Sequence, residues 1–236
     1  MSGTATASID VLSTLALRGV LAVVADTFHA QTGLSFAATY RSTNMSLGLI
    51  AQGLTADMTI VTREAIKGLV RDGVIVPGST ADLAQSGVGI AVKAGAAKPD
   101  IGSVDALRRT LLEAKSVAFS RLGASGVHFG HVIERLGIAG EVRRKAHIGD
   151  SFVGEVVARG DAEIAVQQIS ELKAVAGIDI VGPLPEEVQK ISVFAAGVFR
   201  AARNPDDAKT LIAYLADPRL ARVVSSTGLE PVKAAG

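Results

Sequence analysis

The sequence predicts an α/β protein of two lobes, each a mixed, mostly parallel sheet flanked by helices. Three observations carry this. Residues 8–72 alternate strand-like and helix-like patterns three times over, and such alternation builds parallel sheets with helices on their faces. Two Val/Ile-rich strands, Val88–Lys93 and Ile191–Val198, bracket a segment with an α/β pattern of its own. An inserted lobe needs two connections to its host, and this pair supplies them. The chain has 236 residues, 48% hydrophobic and 20% charged, enough to bury a sizeable core. The expected division is residues 1–87 with 191–236 as lobe 1 and residues 88–190 as lobe 2, with a ligand cleft between them.

Taken in order, Ser8–Leu12 alternates and reads as the first strand, followed by Ser13-Thr14. Leu17, Val20, Leu21, Val24 and Phe28 mark one face of a helix to Gln31, stopped by Gly33. Leu34–Tyr40 is a second strand, and Ser42-Thr43-Asn44 occupies a helix N-cap position ahead of Leu47, Ile50, Ala51 and Leu54. Asp57–Val61 is a third strand, with Thr62 opening a helix over Arg63–Asp72. After strand Val88–Lys93 come a turn at Pro99-Asp100, a helix near Val104–Ala114 and a buried strand Ser116–Phe119. Ser120–Gly126 reads as a small-residue loop before a helix carrying Val127, Val132, Ile133 and Leu136, stopped by Gly137. Strands near Lys145–Ile148, Glu163–Val166, Ile178–Val181 and Ile191–Val198 follow, with a helix over Ser151–Arg159. Two helices close the chain, Asp206–Ala216 and Pro218–Ser226, with Gly228 as the stop.

Composition excludes several classes of function. The formal net charge is +1, aromatics make up 4%, and no basic run exceeds Arg143-Arg144-Lys145. Nucleic-acid binding is therefore not expected. No apolar run reaches the length of a membrane span, so no membrane insertion is expected. The absence of cysteine removes disulfides, thiol catalysis and thiolate metal sites. MSGTATASID has neither a basic start nor an apolar stretch of leader type. A native start would place the protein in the cytoplasm and a removed leader in the periplasm; the sequence leaves both open.

In parallel α/β sheets ligands bind beyond the carboxyl ends of the strands. Those positions here are Ser13-Thr14, Arg41-Ser42-Thr43-Asn44, Thr62-Arg63, Ser120–Gly126 and Gln167-Gln168. All are small or polar hydrogen-bonding residues, and no Asp or Glu is among them. A site built that way has donors in excess and favours an anion. The strand–loop–helix stretch Ser116–Gly137 is its centre, because a helix start presents unpaired N–H groups and a positive dipole end. Ser120 and Ser125 add hydroxyls, while Gly123 and Gly126 are expected to let a ligand approach the backbone.

Catalytic signals are sparse. His128 and His131 are three residues apart with no third ligand at metal spacing, so no metal is expected. Gly123-Ala124-Ser125-Gly126 is not a five-residue nucleophile elbow. Neither GxxxxGK[ST] nor GxGxxG occurs, so no nucleotide cofactor, or any other, is expected.

Several stretches resemble a known family. VLSTLALRGVLAVVADTFHAQTG, YRSTN, GASGVHFGHVIERLGI, RGDAEIAVQQISEL and FAAGVFRAARNPDDAKTLIAYLADPRLARVVSSTGLEP are similar to segments of bacterial extracellular solute-binding proteins of the molybdate-binding type. The resemblance covers nearly the whole chain. It implies a type II periplasmic-binding-protein fold, with two crossover strands as a hinge and an anion in the cleft. It also implies ligand contacts at Ser13, Ser42, Thr43, Ala124, Ser125 and the backbone near Val166. Two departures stand out: Gln167 where the molybdate binders have Tyr, and Arg41 where they tend to have a small residue. Both suggest a larger or more carboxylate-like anion, which an Arg fork binds bidentately. The chain also resembles the aconitate isomerase branch, an enzyme on the same scaffold that moves a proton along an allylic tricarboxylate without a cofactor.

The expected function is binding of a small anion, an oxyanion or an organic carboxylate, with an ABC transporter permease as partner if the protein is exported. The alternative is a cofactor-independent isomerase acting on a di- or tricarboxylate. There Arg41, Arg63 and Arg121 would clamp carboxylates, and His128 or a loop hydroxyl would relay the proton. A ligand-sensing domain ranks third, since no helix-turn-helix segment precedes residue 8.

Overall fold

A computed structural model describes residues 8–149 and 151–232; the stretch read for a leader lies, up to residue 7, outside them. The described residues divide into two compact units. One takes in the chain to Gln85 together with Val193 onward, and the other is Ser86–Ser192.

The first unit begins with β1 (Ser8–Thr14), which runs through a 3-10 turn, Leu15–Leu17, into α1 (Arg18–Thr32). Gly33 ends α1 with φ 73°, its N–H bonded to His29 O at 2.8 Å, the left-handed stop that glycine adopts without strain. Then come β2 (Ser35–Arg41), α2 (Thr43–Ala51), β3 (Met58–Thr62), α3 (Arg63–Arg71) and β4 (Ala81–Ser86). β4 has no counterpart among the expected strands. Its sequence ADLAQS buries only Leu83, Ala84 and Ser86, too few apolar residues to show a strand period.

The second unit contains β5 (Val88–Lys93), α4 (Val104–Glu113), β6 (Val117–Ser120), α5 (Ala124–Arg135), α6 (Ala139–Arg144) and β7 (Ala146–Gly149). It continues with α7 (Gly154–Arg159), β8 (Ile164–Gln168), α8 (Ile169–Lys173) and β9 (Ile178–Pro183). β10 (Ser192–Val198) then returns the chain to the first unit, which closes with α9 (Pro205–Leu215) and α10 (Ala221–Ser226). α6 and α8, of six and five residues, are too short for a helical period to be visible in sequence. α5 starts at Ala124, so Ser125 and Gly126 belong to its first turn rather than to the loop expected there.

Each unit is built on a mixed five-stranded sheet, ordered β2-β1-β3-β10-β4 in the first and β7-β6-β8-β5-β9 in the second. β1 is parallel to β2 and β3, and β10 is antiparallel to β3. β6 is parallel to β7 and β8, and β5 is antiparallel to β8 and β9. Successive side chains of a strand face opposite sides of its sheet, and both faces are covered. In the second unit large residues, Ile90, Val117, Phe119, Ile164 and Val166, pack on one face with Phe129 and Leu107. The other face carries Ala91, Ala118 and Ala165 beneath Val153, Val157 and Leu172. The small side chains let α7 and α8 lie close to the sheet on that face.

A buried carboxylate ties the first unit together at the amino ends of its parallel strands. Asp57 accepts hydrogen bonds from the N–H groups of Asp10, Arg203 and Asn204 at 2.8–2.9 Å and from Asn204 Nδ2 at 3.4 Å. Burial pushes its pKa up, but these bonds outweigh it and hold the carboxyl below its ordinary value. Replacing Asp57 with Ala orphans three backbone donors and should lower the unfolding free energy by about 3 kcal/mol. Urea unfolding measures this; a loss under about 1 kcal/mol would show that the carboxylate is not the tie.

Candidate functional site

The carboxyl ends of β1, β2 and β3 lie together by register: Ser13 pairs with Tyr40 and with Ile60, and Thr14 with Arg41. Ser13 and Thr14 are buried, and Ser13 Oγ donates to Thr14 O at 3.0 Å. Ser42 holds the N-cap position of α2 with an extended backbone, yet its side chain caps nothing. Its Oγ is buried with no partner, and so is Ser46 Oγ one turn on, on the same helix face. Buried hydroxyls are nearly always hydrogen-bonded, and this pair at the start of α2 lacks such partners within the protein. The first-turn N–H groups of α2 add donors and a positive dipole end. Thr43 is buried, while Asn44 and Arg41 are exposed. Arg41 Nη1 donates to Tyr40 O at 2.7 Å.

The second unit repeats the arrangement at the end of β6. Ser120 is buried and its Oγ has no partner. Gly123 holds the N-cap position of α5, where it has no side chain to cap the helix. Ser125 is buried and Ala124 half-buried. A cavity of about 370 Å³ opens beside Ser120, Arg121 and Gly126 and extends past His131 to Glu134 and Arg143, which form an ion pair at 2.6 Å.

Other expected contacts have protein partners instead. Arg63 donates from Nε and Nη2 to both oxygens of Asp82, at 2.9 and 2.6 Å. A carboxylate thus stands at a strand end where none was expected, and the guanidinium is engaged by it. His128 Nε2 bonds to Val188 O at 2.7 Å, and burial lowers the ring's pKa. The hydrogen bond ties Nε2 of the ring to the backbone sixty residues away. Gln167 is buried: its Oε1 accepts from Val153 N at 3.0 Å and its Nε2 donates to Ser151 O at 3.1 Å. Val166 is buried in the core.

The two glycines also have a packing role. A Cβ on Gly126 would sit 1.7 Å from Ser120 O, and one on Gly123 2.3 Å from Ser120 Oγ. The space behind them is filled by the end of β6, so these glycines let α5 close onto the strand.

Three further polar groups lie outside the set expected from the sequence. Ser46 follows Ser42 by one helical turn, a spacing that is visible in the sequence. Ser170, with a buried unpartnered Oγ, and Glu171, also buried, lie on α8, a helix concealed by its short length. Burial pushes Glu171 up to about 7, against one hydrogen bond from the Gln167 side chain that pulls it down. Among the described residues no cluster of three or more His, Asp or Glu side chains is placed to hold a metal ion, and no helix is long and apolar enough to cross a membrane.

The chain matches the bacterial extracellular solute-binding protein family over residues 9–230, and it belongs to that family. It is 36% identical over 234 residues to an aconitate isomerase from Pseudomonas sp., across 96% of this chain and 89% of that one. Among solved structures it is similar to the periplasmic molybdate-binding protein of Azotobacter vinelandii, with TM-score 0.80 and 17% identity over 96% of this chain and 100% of that one. It is also similar to the sulfate-binding protein of Mycobacterium tuberculosis, with TM-score 0.76 and 16% identity over 96% and 88%. At such identities these structures show the fold: the two-lobed architecture of the solute-binding proteins.

Two positions on α5 make a paired test. Gly126→Ala forces the helix off β6 and should cost more than about 2 kcal/mol of stability. A Cβ on Gly130 would meet nothing within 4 Å, so Gly130→Ala should stabilise by about 0.5–1 kcal/mol. Equal effects in chemical unfolding would contradict the packing role.

Proposed function

We propose that the protein binds a small organic anion carrying two or three carboxylates at these strand-end loops. The observation that carries the reading is the set of buried serine hydroxyls, Ser42 and Ser46 on α2 and Ser120 before α5, left without protein partners. An unsatisfied buried hydroxyl costs about 1–3 kcal/mol, and an anion's oxygens supply the missing acceptors. Neutral donors and helix starts serve any small anion. Arg41, exposed at the end of β2, adds the planar fork that suits a carboxylate. In a capture role, the protein would hand its ligand to an ABC transporter permease.

A second reading, isomerisation of a bound tricarboxylate, is favoured by the relative from Pseudomonas sp. that bears the name aconitate isomerase. The reaction moves a proton along an allylic system: a base removes it from one carbon and an acid returns it to another, with no net change in composition. The strand-end donors would fix the carboxylates while the proton moves.

Melting curves with sulfate, molybdate, citrate and trans-aconitate test the binding reading. A ligand at 100 times its Kd adds about 2.7 kcal/mol, and the carboxylates should raise the melting temperature most. Ser42→Ala and Ser120→Ala should each weaken binding about tenfold while leaving the ligand-free protein as stable or more so. No shift with any anion, or serine variants that lose stability and keep affinity, would overturn it. Incubation with trans-aconitate, followed by NMR, decides the second reading: the cis isomer appears if it holds, and unchanged substrate at high protein concentration rejects it.

A further inference from the structure

We propose that the anion taken up at the end of β6 carries an apolar arm, and that the arm lies in the cavity beside α5. The inference rests on the anion-binding reading and adds to it the shape of the ligand. The cavity lies wholly within the second unit. Its volume is about 370 Å³, inside the range of roughly 300–1,000 Å³ found for small-molecule sites. One end is lined by Ser120, Arg121 and Gly126, where β6 ends and α5 makes its first turn. Ser120 Oγ is one of the buried hydroxyls without a protein partner. From there the cavity continues along α5 to Glu134. The helix rises about 12 Å between Gly126 and Glu134, so the cavity is a groove that starts at the anion-binding edge.

Between its ends the groove has apolar walls. Val127 and Ile148 both line it, and they are 38% and 52% exposed. They are two of the five large hydrophobic side chains left exposed among the described residues. Single exposed apolar residues are ordinary, whereas two that share one concavity form a surface a ligand can cover. The sheet register brings them together. Ile148 of β7 pairs with Phe119 of β6, so both point to the same face. That face is the one covered by Phe129 of α5, whose ring lies 5.1 Å from that of Phe119. β7 is the outermost strand of its sheet, so no further strand covers Ile148. On the helix side, Val127, Gly130 and Glu134 recur at spacings of three and four residues, one stripe of α5.

Gly130 sets the depth of the groove. Glycine inside a helix is disfavoured relative to alanine. Gly126 has a packing reason, the Ser120 carbonyl 1.7 Å from where its Cβ would be. A Cβ on Gly130 would meet nothing within 4 Å, so Gly130 answers no packing need of the fold. Its missing side chain keeps the groove open midway along the helix. At the far end Glu134 and Arg143 pair at 2.6 Å. Their charges are already matched, so that end offers no lone cation for a further carboxylate. The carboxylates therefore belong at the Ser120 end and the apolar arm along Val127, Gly130 and Ile148.

Calorimetric titration with succinate, butylsuccinate and benzylsuccinate keeps two carboxylates and varies the arm. Each methylene buried should tighten binding about fourfold, so both substituted acids should bind at least about tenfold more tightly than succinate. Amide NMR should show shifts at Val127, Gly130 and Ile148 with the substituted acids and not with succinate. Gly130→Leu fills the groove from the helix, and Ile148→Asp puts a charge on its outer wall. In each variant the advantage over succinate should shrink to within about threefold. Melting curves of the ligand-free variants show that each is folded, and either one alone suffices for the comparison. A wild-type advantage within about threefold, one that survives in either folded variant, or one that leaves those three amides unshifted overturns the proposal and leaves anion binding standing. No binding of any of the three acids overturns both.

Discussion

Parallel strands deliver their carboxyl ends to one edge of a sheet, and the helix that follows each strand must begin there with N–H groups unpaired. That constraint concentrates donors at a single edge of each unit. In an ordinary βα turn a serine or aspartate side chain quenches them. Here Ser42 stands at the N-cap position of α2 without capping it, and Gly123 stands at that of α5. No side chain caps either helix start, and the buried hydroxyls beside them also lack protein partners.

The two sheets reach this state by different local means. In the first unit β1 and β2 align Thr14 with Arg41, so hydroxyls and a guanidinium end on neighbouring strands. In the second, glycines allow α5 to press against Ser120 so closely that no side chain fits between them. The edge of the first unit also ties up one cation internally, in the Arg63–Asp82 pair, whose members are about one-third exposed. Such a pair contributes at most about 1 kcal/mol of stability; it engages both Nε and Nη2 of Arg63.

The strand ends are legible in the sequence because small polar residues after Val/Ile-rich segments have nowhere to sit but a sheet edge. Ser13, Ser42 and Ser120 follow from that pattern alone. What escapes it depends on contacts between distant residues. Asp82 meets Arg63 only because β4, with a weak strand pattern, joins the sheet. Glu171 lies in ISELK, where nothing local signals its burial. Gly126 carries the residue type of a ligand-admitting loop, but its space is taken by the Ser120 carbonyl. His128 has the right type and helix position for a relay, and a backbone carbonyl sixty residues away claims it.

If the unpartnered hydroxyls and helix starts at the strand ends are the anion site, backbone amide NMR during titration with citrate reads it most directly. Saturable shifts are expected to concentrate at Ser13–Thr14, Ser42–Ser46 and Ser120–Gly126, and to be lost at the substituted serine's own loop in Ser42→Ala or Ser120→Ala. Saturable binding that shifts residues elsewhere and leaves these three segments unmoved would contradict that assignment.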